Sequence, residues 1–456
     1  MQRLRIAIKK TDSPVVYCAV TAGTGTRNET PQYNGLAHFT EHMLFKGTSK
    51  RGSVSINNCL ENVGGELNAY TTKEETVIYA TVLKEDMGKA INLLLELALD
   101  SVFPPDQIKK EREVVYDEII SYKDSPAEAI CDEFETIFFG DHPLSMPILG
   151  TKETLRKINR ETFKDYIDKN FLPDNLALSV VGNACRSTIA NIVGRQLKKY
   201  VKEPVELQFI EEGKLYSGPD AEYGDKNDDS ALAMAAVKED CKGYRQGQEP
   251  ELGKDLDLNQ EHEIKRGDEL ATGVCFDKTI HKKGHQVHCV TGASAYSWQS
   301  KKRLALALLT NMLGGPSSNS RLNYSLREKN GLVYNVEANY TPFADTGLVT
   351  IYFGCDKQYL DDCIKLVEKE LDLLIEKPMA DTQLKKIKKQ FIGQLSISLD
   401  NAESQALSMG KSMLVYNKIA SFEDIKCSVE KLTADYLYEV AKEIFDKKRF
   451  SRLIYQ

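Results

Sequence analysis

Apolar positions in the first part of the chain switch between strand-like and helix-like spacing. The β-branched run PVVYCAVTAG (14–23) closes with glycine and predicts a buried strand, and ELNAYTTKEETVIYATVL (66–83) predicts a strand, a turn and a second strand. Apolar residues recur at helical spacing in KEDMGKAINLLLELALDSV (84–102), which predicts an amphipathic helix. The proline pair at 104–105 predicts the start of a further helix over 106–123, because proline is well tolerated in a first helical turn.

The same order of predicted elements recurs in the second half of the chain. A strand is predicted at 285–297, a helix at 299–313, and two further amphipathic helices at 359–376 and 378–395. This recurrence predicts an α+β protein of two similar domains, each an antiparallel sheet with helices packed on one face.

One short sequence match sets the register between the two halves. DQIKK of the first half coincides with TQLKK (382–386) of the second when the predicted helix pairs are superposed. In that register Glu111 corresponds to Ile387 and Glu118 corresponds to Gln394. The first copy therefore carries acidic residues that the second copy lacks.

The length of the chain and its polar middle stretch predict two domains. The chain has 456 residues, which is too long for one ordinary hydrophobic core. The stretch 211–284 is polar, carries acidic clusters and has no Phe or Trp between Phe209 and Phe276, which is typical of a linker with an insertion. We expect a first domain at 1–208, the linker and insertion at 209–284, and a second domain at 285–456.

Composition and charge narrow the classes of function. Hydrophobic residues make up 41% and charged residues 28% of the chain, as in ordinary globular proteins. A net charge of −7 argues against nucleic-acid binding, and no apolar run approaches the roughly 20 residues that span a bilayer. The amino-terminal stretch lacks the pattern of a signal peptide, and the ten cysteines form no CxxC pair. We therefore expect a cytoplasmic protein with reduced thiols that binds neither nucleic acid nor membrane.

Two of the seven histidines lie one helical turn apart, in NGLAHFTEHMLFKGT (34–48). On a helix His38 and His42 present their imidazoles on one face, an arrangement that suits a divalent metal and favours zinc. Glu41 lies beside the open coordination position, where a carboxylate can take a proton from a metal-activated water. The alternative is that both histidines are ordinary surface or core residues. The glutamate inside HxxEH, a zinc-protease pattern, favours the metal site.

A catalytic zinc site needs a third protein ligand from another rigid element. The predicted helix at 106–123 supplies the acidic residues Glu111, Glu113, Asp117 and Glu118. Glu111 and Glu118 are seven positions apart and share one face, so one could bind zinc while the other hydrogen-bonds a ligating histidine. The alternative is a solvated acidic face, which would fit Glu113 and Asp117.

Four separate segments give the chain a specific resemblance to the pitrilysin/insulinase family of inverted-motif zinc metallopeptidases. They occur in the order typical of the family and are GLAHFTEHMLFKGT (35–48), GGELNAYTTKEET (64–76), EREVVYDE (111–118) and NMLGGPSSNSRLNYSLREKNGLVYNVE (311–337). The resemblance covers nearly the whole chain apart from 211–284. In size the chain is similar to two-domain bacterial members and to the catalytic subunit of mitochondrial processing peptidase.

The resemblance implies a role for each chemically active residue of the first half. His38, His42 and Glu118 match the family's zinc ligands, which implies one zinc ion per chain. Glu41 matches the general base. Glu111 matches a carboxylate that supports the ligands from behind.

Two further pairs of residues match substrate-binding positions of the family. Asn68 and Ala69 would lie on an edge strand that pairs with the backbone of an extended peptide. Arg327 and Tyr334 match a pair that closes over the substrate from a domain facing the zinc, where they could bind a peptide carbonyl or stabilise an oxyanion. Without the resemblance, the segment around Arg327 is typical only of a helix end with a glycine cap.

The resemblance also implies an activity and an assembly. Family members enclose a chamber with four such domains, so a chain with two implies a homodimer, or a heterodimer with a homologous subunit, in which Arg327 and Tyr334 serve the partner's site. We expect a zinc-dependent endopeptidase that hydrolyses peptides or unfolded segments, with Glu41 as the general base. The alternatives are a catalytic subunit active only with an inactive homologous partner, and a non-catalytic zinc-binding scaffold.

Overall fold

The computed structural model describes residues 2–213, 270, 273–282 and 284–456. Most of the predicted linker and insertion at 209–284 therefore lies outside the described residues. Within the described ranges, no helix is long and apolar enough to cross a membrane. The described residues form two sheets, one in each half of the chain, with helices packed against both.

The strands of the first sheet are β1 (Gln2–Lys10), β2 (Val15–Ala22), β3 (Glu66–Thr71), β4 (Thr76–Leu83), β5 (Leu176–Gly182) and β6 (Val205–Ile210). The first half also contains the helices α1 (Leu36–Leu44), α2 (Ser53–Glu61), α3 (Met87–Leu99), α4 (Pro105–Lys123), α5 (Pro126–Phe139), α6 (Lys152–Lys157), α7 (Arg160–Asn170) and α8 (Arg186–Tyr200).

The strands of the second sheet are β7 (Asp277–Ile280), β8 (Val287–Ala295), β9 (Val333–Pro342), β10 (Gly347–Cys355) and β11 (Ser451–Tyr455). The helices of this half are α9 (Arg303–Gly314), α10 (Leu360–Glu376), α11 (Asp381–Asp400), α12 (Ala402–Tyr416), α13 (Phe422–Lys431) and α14 (Ala434–Ile444).

The first sheet has the strand order β3-β4-β2-β5-β1-β6. β2 pairs antiparallel with β4 and β5, and β4 pairs antiparallel with the edge strand β3. β1 instead pairs parallel with both β5 and β6, so that Ile6 lies between Leu178 and Phe209. Strands that run parallel need a long crossover connection, and α8 between β5 and β6 provides one.

The second sheet has the strand order β7-β11-β8-β10-β9. Its pairs are antiparallel except for β7 with β11. The prediction of an α+β fold with two similar domains is confirmed. The sheets are mixed, whereas purely antiparallel sheets were predicted. Each sheet contains parallel pairing at one edge, where strands that are far apart in the sequence lie next to each other.

The internal repeat is visible as matching elements in the two halves. Each half has an antiparallel hairpin at the edge of its sheet, β3–β4 and β9–β10, followed by two helices. α4 begins at Pro105 and α11 begins at Asp381, which is the register in which DQIKK and TQLKK coincide. The helix that carries Glu111 and Glu118 therefore has a counterpart that carries neither carboxylate.

Helices cover both faces of the first sheet. α3 packs on β2 and β4 and contacts α8, within the main apolar cluster of the first half. The opposite face is covered by α12, which belongs to the second half and packs on β5 and β2. Gly410 allows the closest approach, because a Cβ at that position would collide with the hydroxyl of Thr21. The buried residues of this layer are Ala7, Ala177, Val181, Ile210, Ala406, Met409, Met413 and Ile419.

The second sheet receives a helix from the first half in return. α5 packs on β8 and β11, with Phe134 and Phe138 stacked on each other at this face. Gly292 of β8 leaves room for Phe134, since a Cβ there would lie 3.0 Å from the phenyl ring. The prediction of helices on one face only is corrected by this exchange: each half covers the second face of the other half's sheet.

Charged side chains also join the two halves, at the turns that follow β3 and β9. Arg27 donates to the carboxylate of Asp345 from both terminal nitrogens, at 3.1 Å and 2.8 Å, and also pairs with Glu74. Nε2 of His142 lies 3.2 Å from Asp345 Oδ2. The backbone N–H of Ala344 donates to Glu74 at 2.9 Å. The turn after β3 is therefore tied to the second half.

Candidate metal and catalytic site

The HxxEH segment forms the short helix α1, which begins immediately after Gly35. Gly35 has φ of 93°, a left-handed conformation that glycine adopts without strain. A Cβ at Gly35 would lie 2.8 Å from the carbonyl oxygen of Leu149, so the chain crosses closely here. The helix then directs His38 and His42 to the same side, with ring centroids 4.7 Å apart.

The structure brings His38, His42 and Glu118 together. α1 packs against α4, and Glu118 of α4 lies with Oε1 3.6 Å from His38 Nε2 and Oε2 3.4 Å from His42 Nε2. One ligand atom from each of the three residues lies within 4.8 Å of the others. Two imidazoles and one carboxylate form a donor set that suits zinc and leaves a coordination position open.

The environment of this group favours the protonation state that a metal ligand needs at His38 and Glu118, but not at His42. Burial, followed by the nearby charge of His42, lowers the pKa of His38 to about 4, so its imidazole is neutral at pH 7. Hydrogen bonding to His42, with the charges of both histidines, lowers the pKa of Glu118 although burial opposes this. Burial would lower the pKa of His42, but Glu118 and the other carboxylates near it raise it overall.

The His38 ring provides a further test of whether a metal fits. His38 is only 7% exposed, and its Nδ1 is buried without a hydrogen-bond partner among the described residues. Its Nε2 is too far from Glu118 for a strong hydrogen bond. A cation between these side chains would supply a partner to Nε2, the ring atom that faces Glu118.

Glu111 lies behind the histidines and orients one of them. Its Oε2 is 3.3 Å from His42 Nδ1, which turns the Nε2 atom of His42 towards Glu118. Its other oxygen, Oε1, pairs with Lys46 Nζ at 2.7 Å. Lys46 was not among the residues predicted from the sequence, although it lies within the same segment, four positions after His42.

Glu41 is held by a residue that sequence reasoning also missed. The hydroxyl of Thr71, the last residue of β3, donates to Glu41 Oε2 at 2.6 Å. Burial raises the pKa of Glu41, and the Thr71 hydrogen bond and the charge of His42 only partly offset this. A signal was available, because Thr71 ends the NAYT segment that carries part of the family resemblance.

The predicted peptide-pairing residues lie on the edge strand of the first sheet. Asn68 pairs with Tyr79 and Ala69 pairs with Ile78, both across to β4. On its other side β3 has no strand partner among the described residues. The side chain of Asn68 is exposed. An extended backbone could therefore add to this edge.

Arg327 and Tyr334 are not brought into contact with the histidines. Arg327 lies in a π-helical turn at Asn323–Glu328, and Tyr334 lies on β9, the edge strand of the second sheet. Tyr334 is 71% exposed. In the part of the chain that the structure describes, neither side chain makes a hydrogen bond or ion pair.

Comparison with known proteins identifies the class to which this fold and site belong. The family model described as insulinase (peptidase family M16) matches residues 5–152, and the model described as the peptidase M16 inactive domain matches residues 157–391. The chain is 30% identical over 430 residues to the uncharacterized zinc protease YmxG of Bacillus subtilis, covering 94% of this chain and 90% of that protein. It is 29% identical over 429 residues to an uncharacterized zinc protease of Streptomyces coelicolor, covering 94% and 82%.

Solved structures share the fold at lower sequence identity. A peptidase M16 inactive domain from Pseudomonas fluorescens superposes with a TM-score of 0.77 at 16% identity, covering 98% of this chain and 94% of that one. A protease from Helicobacter pylori superposes with a TM-score of 0.74 at 18% identity, with the same coverage. The chain belongs to peptidase family M16, the insulinase family of zinc metallopeptidases, and the predicted family is confirmed.

Proposed function

We propose that the protein is a zinc-dependent endopeptidase that hydrolyses peptides or unfolded segments, with Glu41 as the general base. The observation that carries this proposal is the convergence of His38, His42 and Glu118, whose ligand atoms lie within 4.8 Å of one another. Glu41, which is next to His42 in the chain, is held by Thr71. A metal-ligand group beside a fixed carboxylate is the arrangement that metal-assisted hydrolysis requires.

His38, His42 and Glu118 would hold one zinc ion per chain, with Glu111 fixing the His42 ring through Nδ1. Zinc supplies Lewis acidity, which activates water and polarises a peptide carbonyl. Both family membership and the donor set support zinc over other divalent cations.

Glu41 performs the proton transfers in this proposal. Thr71 occupies Oε2 of the carboxylate, so Oε1 remains to accept a proton from the attacking water. The raised pKa of Glu41 makes it a stronger base than an ordinary exposed carboxylate. The same oxygen then delivers the proton to the nitrogen of the leaving amine.

The edge of β3 would bind the substrate backbone. Asn68 and Ala69 lie there, and an extended peptide that adds to an edge gains main-chain hydrogen bonds whatever its side chains are. Folded proteins do not present such a free extended segment. This argues for peptides and unfolded segments as the substrate class.

A second subunit would complete the site. Arg327 and Tyr334 are exposed on the second half and make no polar contact with the described residues, which supports a role towards another chain. A homodimer would supply both residues to both sites, and a heterodimer with a homologous subunit would supply them from its partner. A cytoplasmic location belongs to the same proposal and is supported by the nine described cysteines, all of which are free.

The test compares the zinc-loaded wild-type chain with Glu41→Gln and with Glu113→Gln, an exposed acidic residue of α4. Peptide-library hydrolysis, loss with a chelator, rescue with zinc and bound zinc per chain are measured. We expect activity in the wild type and in Glu113→Gln. We expect none in Glu41→Gln, while its zinc content stays near one per chain.

The other outcomes separate the alternatives. Bound zinc without hydrolysis of any peptide would favour a catalytic subunit that needs an inactive homologous partner. If activity stays absent with every homologous subunit added, the chain is a zinc-binding scaffold. A wild-type chain that binds no zinc would refute the site assignment.

A further inference from the structure

The start of α1 depends on a carboxylate that lies outside the helix. The first N–H groups of a helix need external acceptors, and Gly35 at the N-cap has no side chain to supply one. Glu29 supplies them instead: its Oε2 accepts from the backbone N–H of Gly35 at 2.8 Å, and its Oε1 accepts from that of Ala37 at 2.5 Å. Nδ2 of Asn34 donates to Glu29 Oε2 at 2.9 Å.

Glu29 is buried at the start of this helix. It is 9% exposed, and its burial raises the pKa of the carboxyl to about 7 even though the three donors oppose the shift. Burying a carboxylate is unfavourable unless its hydrogen bonds compensate. The helix N-terminus also carries partial positive charge, which favours a carboxylate over an amide at this place.

The opposite side of the helix start is equally constrained. The carbonyl of Pro147 accepts from Asn34 Nδ2 at 2.9 Å, and a Cβ at Gly35 would lie 2.8 Å from the carbonyl of Leu149. A Cβ at Gly150 would collide with the carbonyl oxygen of Asn34. The first turn of α1 is therefore held between Glu29 and the segment 147–150.

His38 follows Ala37 directly and depends on the position of this turn. His42 is oriented through its own ring by Glu111, whereas the Nδ1 atom of His38 has no partner among the described residues. The backbone of the first turn is therefore what places the His38 ring opposite Glu118. A shift of this turn would move one metal ligand and leave the other two in place.

We propose that Glu29 is a positioning residue of the metal site, which fixes the first turn of α1 and thereby sets the distance from His38 to Glu118. The inference rests on the proposed metal site. Glu29 acts only through the helix and touches neither the ligand atoms nor Glu41. Its removal should weaken and distort metal binding by a chain that remains folded.

The test uses Glu29→Gln in the full chain, with Glu96→Gln as a matched control. Glu96 is 3% exposed and accepts from Thr48 Oγ1 at 2.7 Å, so it is also a buried, hydrogen-bonded carboxylate of the first half. Metal affinity is measured by competition with a chelator, and ligand geometry by the visible absorption of the Co²⁺-loaded protein. Circular dichroism establishes that each variant is folded.

We expect Glu29→Gln to bind metal about 10-fold more weakly and to change the Co²⁺ spectrum, as loss of a supporting contact does at other metal sites. Glu96→Gln should match the wild type in both. Wild-type affinity and spectrum in Glu29→Gln, or an equal loss in both variants, would overturn the inference. If Glu29→Gln does not fold, Glu29→Asp, which keeps the charge on a shorter side chain, is subject to the same two criteria. A wild-type chain that binds no metal would overturn the proposed function as well.

Discussion

The hydroxyl of Thr71 lies 2.6 Å from Oε2 of Glu41 and joins the end of β3 to the helix that carries both histidines. The strand that would bind the substrate backbone thus ends in contact with the proposed general base. Asn68 and Ala69 lie only two or three positions before Thr71 on the same strand. Alignment of a peptide along β3 and orientation of the base therefore depend on one element.

The hydrogen bond between Thr71 and Glu41 gives the first prediction. Thr71→Val removes the donor and keeps the shape, so Glu41 loses its orientation while the three proposed metal ligands are untouched. A hydrogen bond to a charged group contributes about 1.5–3 kcal/mol, so we expect kcat to fall about 10-fold or more with zinc content unchanged. Thr71→Ser keeps the hydroxyl and should stay near the wild type. Equal rates for the two variants would contradict the role of the hydroxyl.

Glu111 gives a second prediction, on metal affinity. Glu111→Gln replaces the carboxylate that contacts His42 Nδ1 and pairs with Lys46 by a neutral amide. The imidazole of His42 therefore becomes less basic and less well oriented. We expect zinc affinity to fall about 10-fold in a chelator competition. Glu113→Gln is the control on the exposed side of the same helix and should bind zinc as the wild type does. The role of Glu111 fails if both variants bind equally tightly.

The convergence of His38, His42 and Glu118 was predictable from the sequence because all three lie on regular helices. On α1 a separation of four positions places His38 and His42 on one side, and on α4 a separation of seven does the same for Glu111 and Glu118. On a regular helix the spacing of residues along the chain fixes the side of the helix on which they lie. The contact between α1 and α4 then brings the residues of both helices together. The α+β class was accessible for a similar reason, since strand-like and helix-like spacing alternate in both halves.

Thr71, Lys46 and Glu29 were not predicted because their roles arise from tertiary contacts. Thr71 reaches Glu41 only because β3 lies beside α1, and Glu29 caps α1 only because the chain folds back at Gly35. The exchanged helices were missed for the same reason. An amphipathic pattern shows that a helix has an apolar face, but it does not show which sheet that face will cover.

Asp345 gives a prediction on the pH dependence of stability. Burial would raise the pKa of this carboxyl, but the hydrogen bonds and charges of His142 and Arg27 outweigh it and hold the pKa well below the usual value. Because the pKa is lower in the folded protein, the carboxylate contributes fully to stability above the pKa of Asp in the unfolded chain, about 3.9. This contribution is lost as the pH falls through the folded pKa. The side chain of Asp345 is 49% exposed, so solvent screening limits the contribution to about 1 kcal/mol.

The measurement compares urea unfolding of the wild type and Asp345→Asn from pH 7 down to the lowest pH at which both are folded. We expect the wild type to be more stable above about pH 5, and the difference to shrink below about pH 4. Asp362→Asn disrupts an exposed pair with Lys365 and serves as the control, with little effect at any pH. A difference that grows as the pH falls below about 4 would contradict the assignment.

The exchange of helices between the halves predicts that the chain unfolds as one unit. Phe134 belongs to α5 of the first half but is fully buried against the second sheet, so Phe134→Ala should lower the free energy of unfolding by about 3–5 kcal/mol. Trp298 is the only tryptophan and donates from its indole N–H to Glu74 of the first half at 3.3 Å, so its fluorescence reports on the contact between the halves while far-UV circular dichroism reports on both halves. We expect the two signals to shift together to lower urea concentration.

Ile397→Ala, at a side chain 78% exposed, should change stability by no more than about 0.5 kcal/mol. Separate transitions for the two signals would show that each half holds its own core without the other's helix.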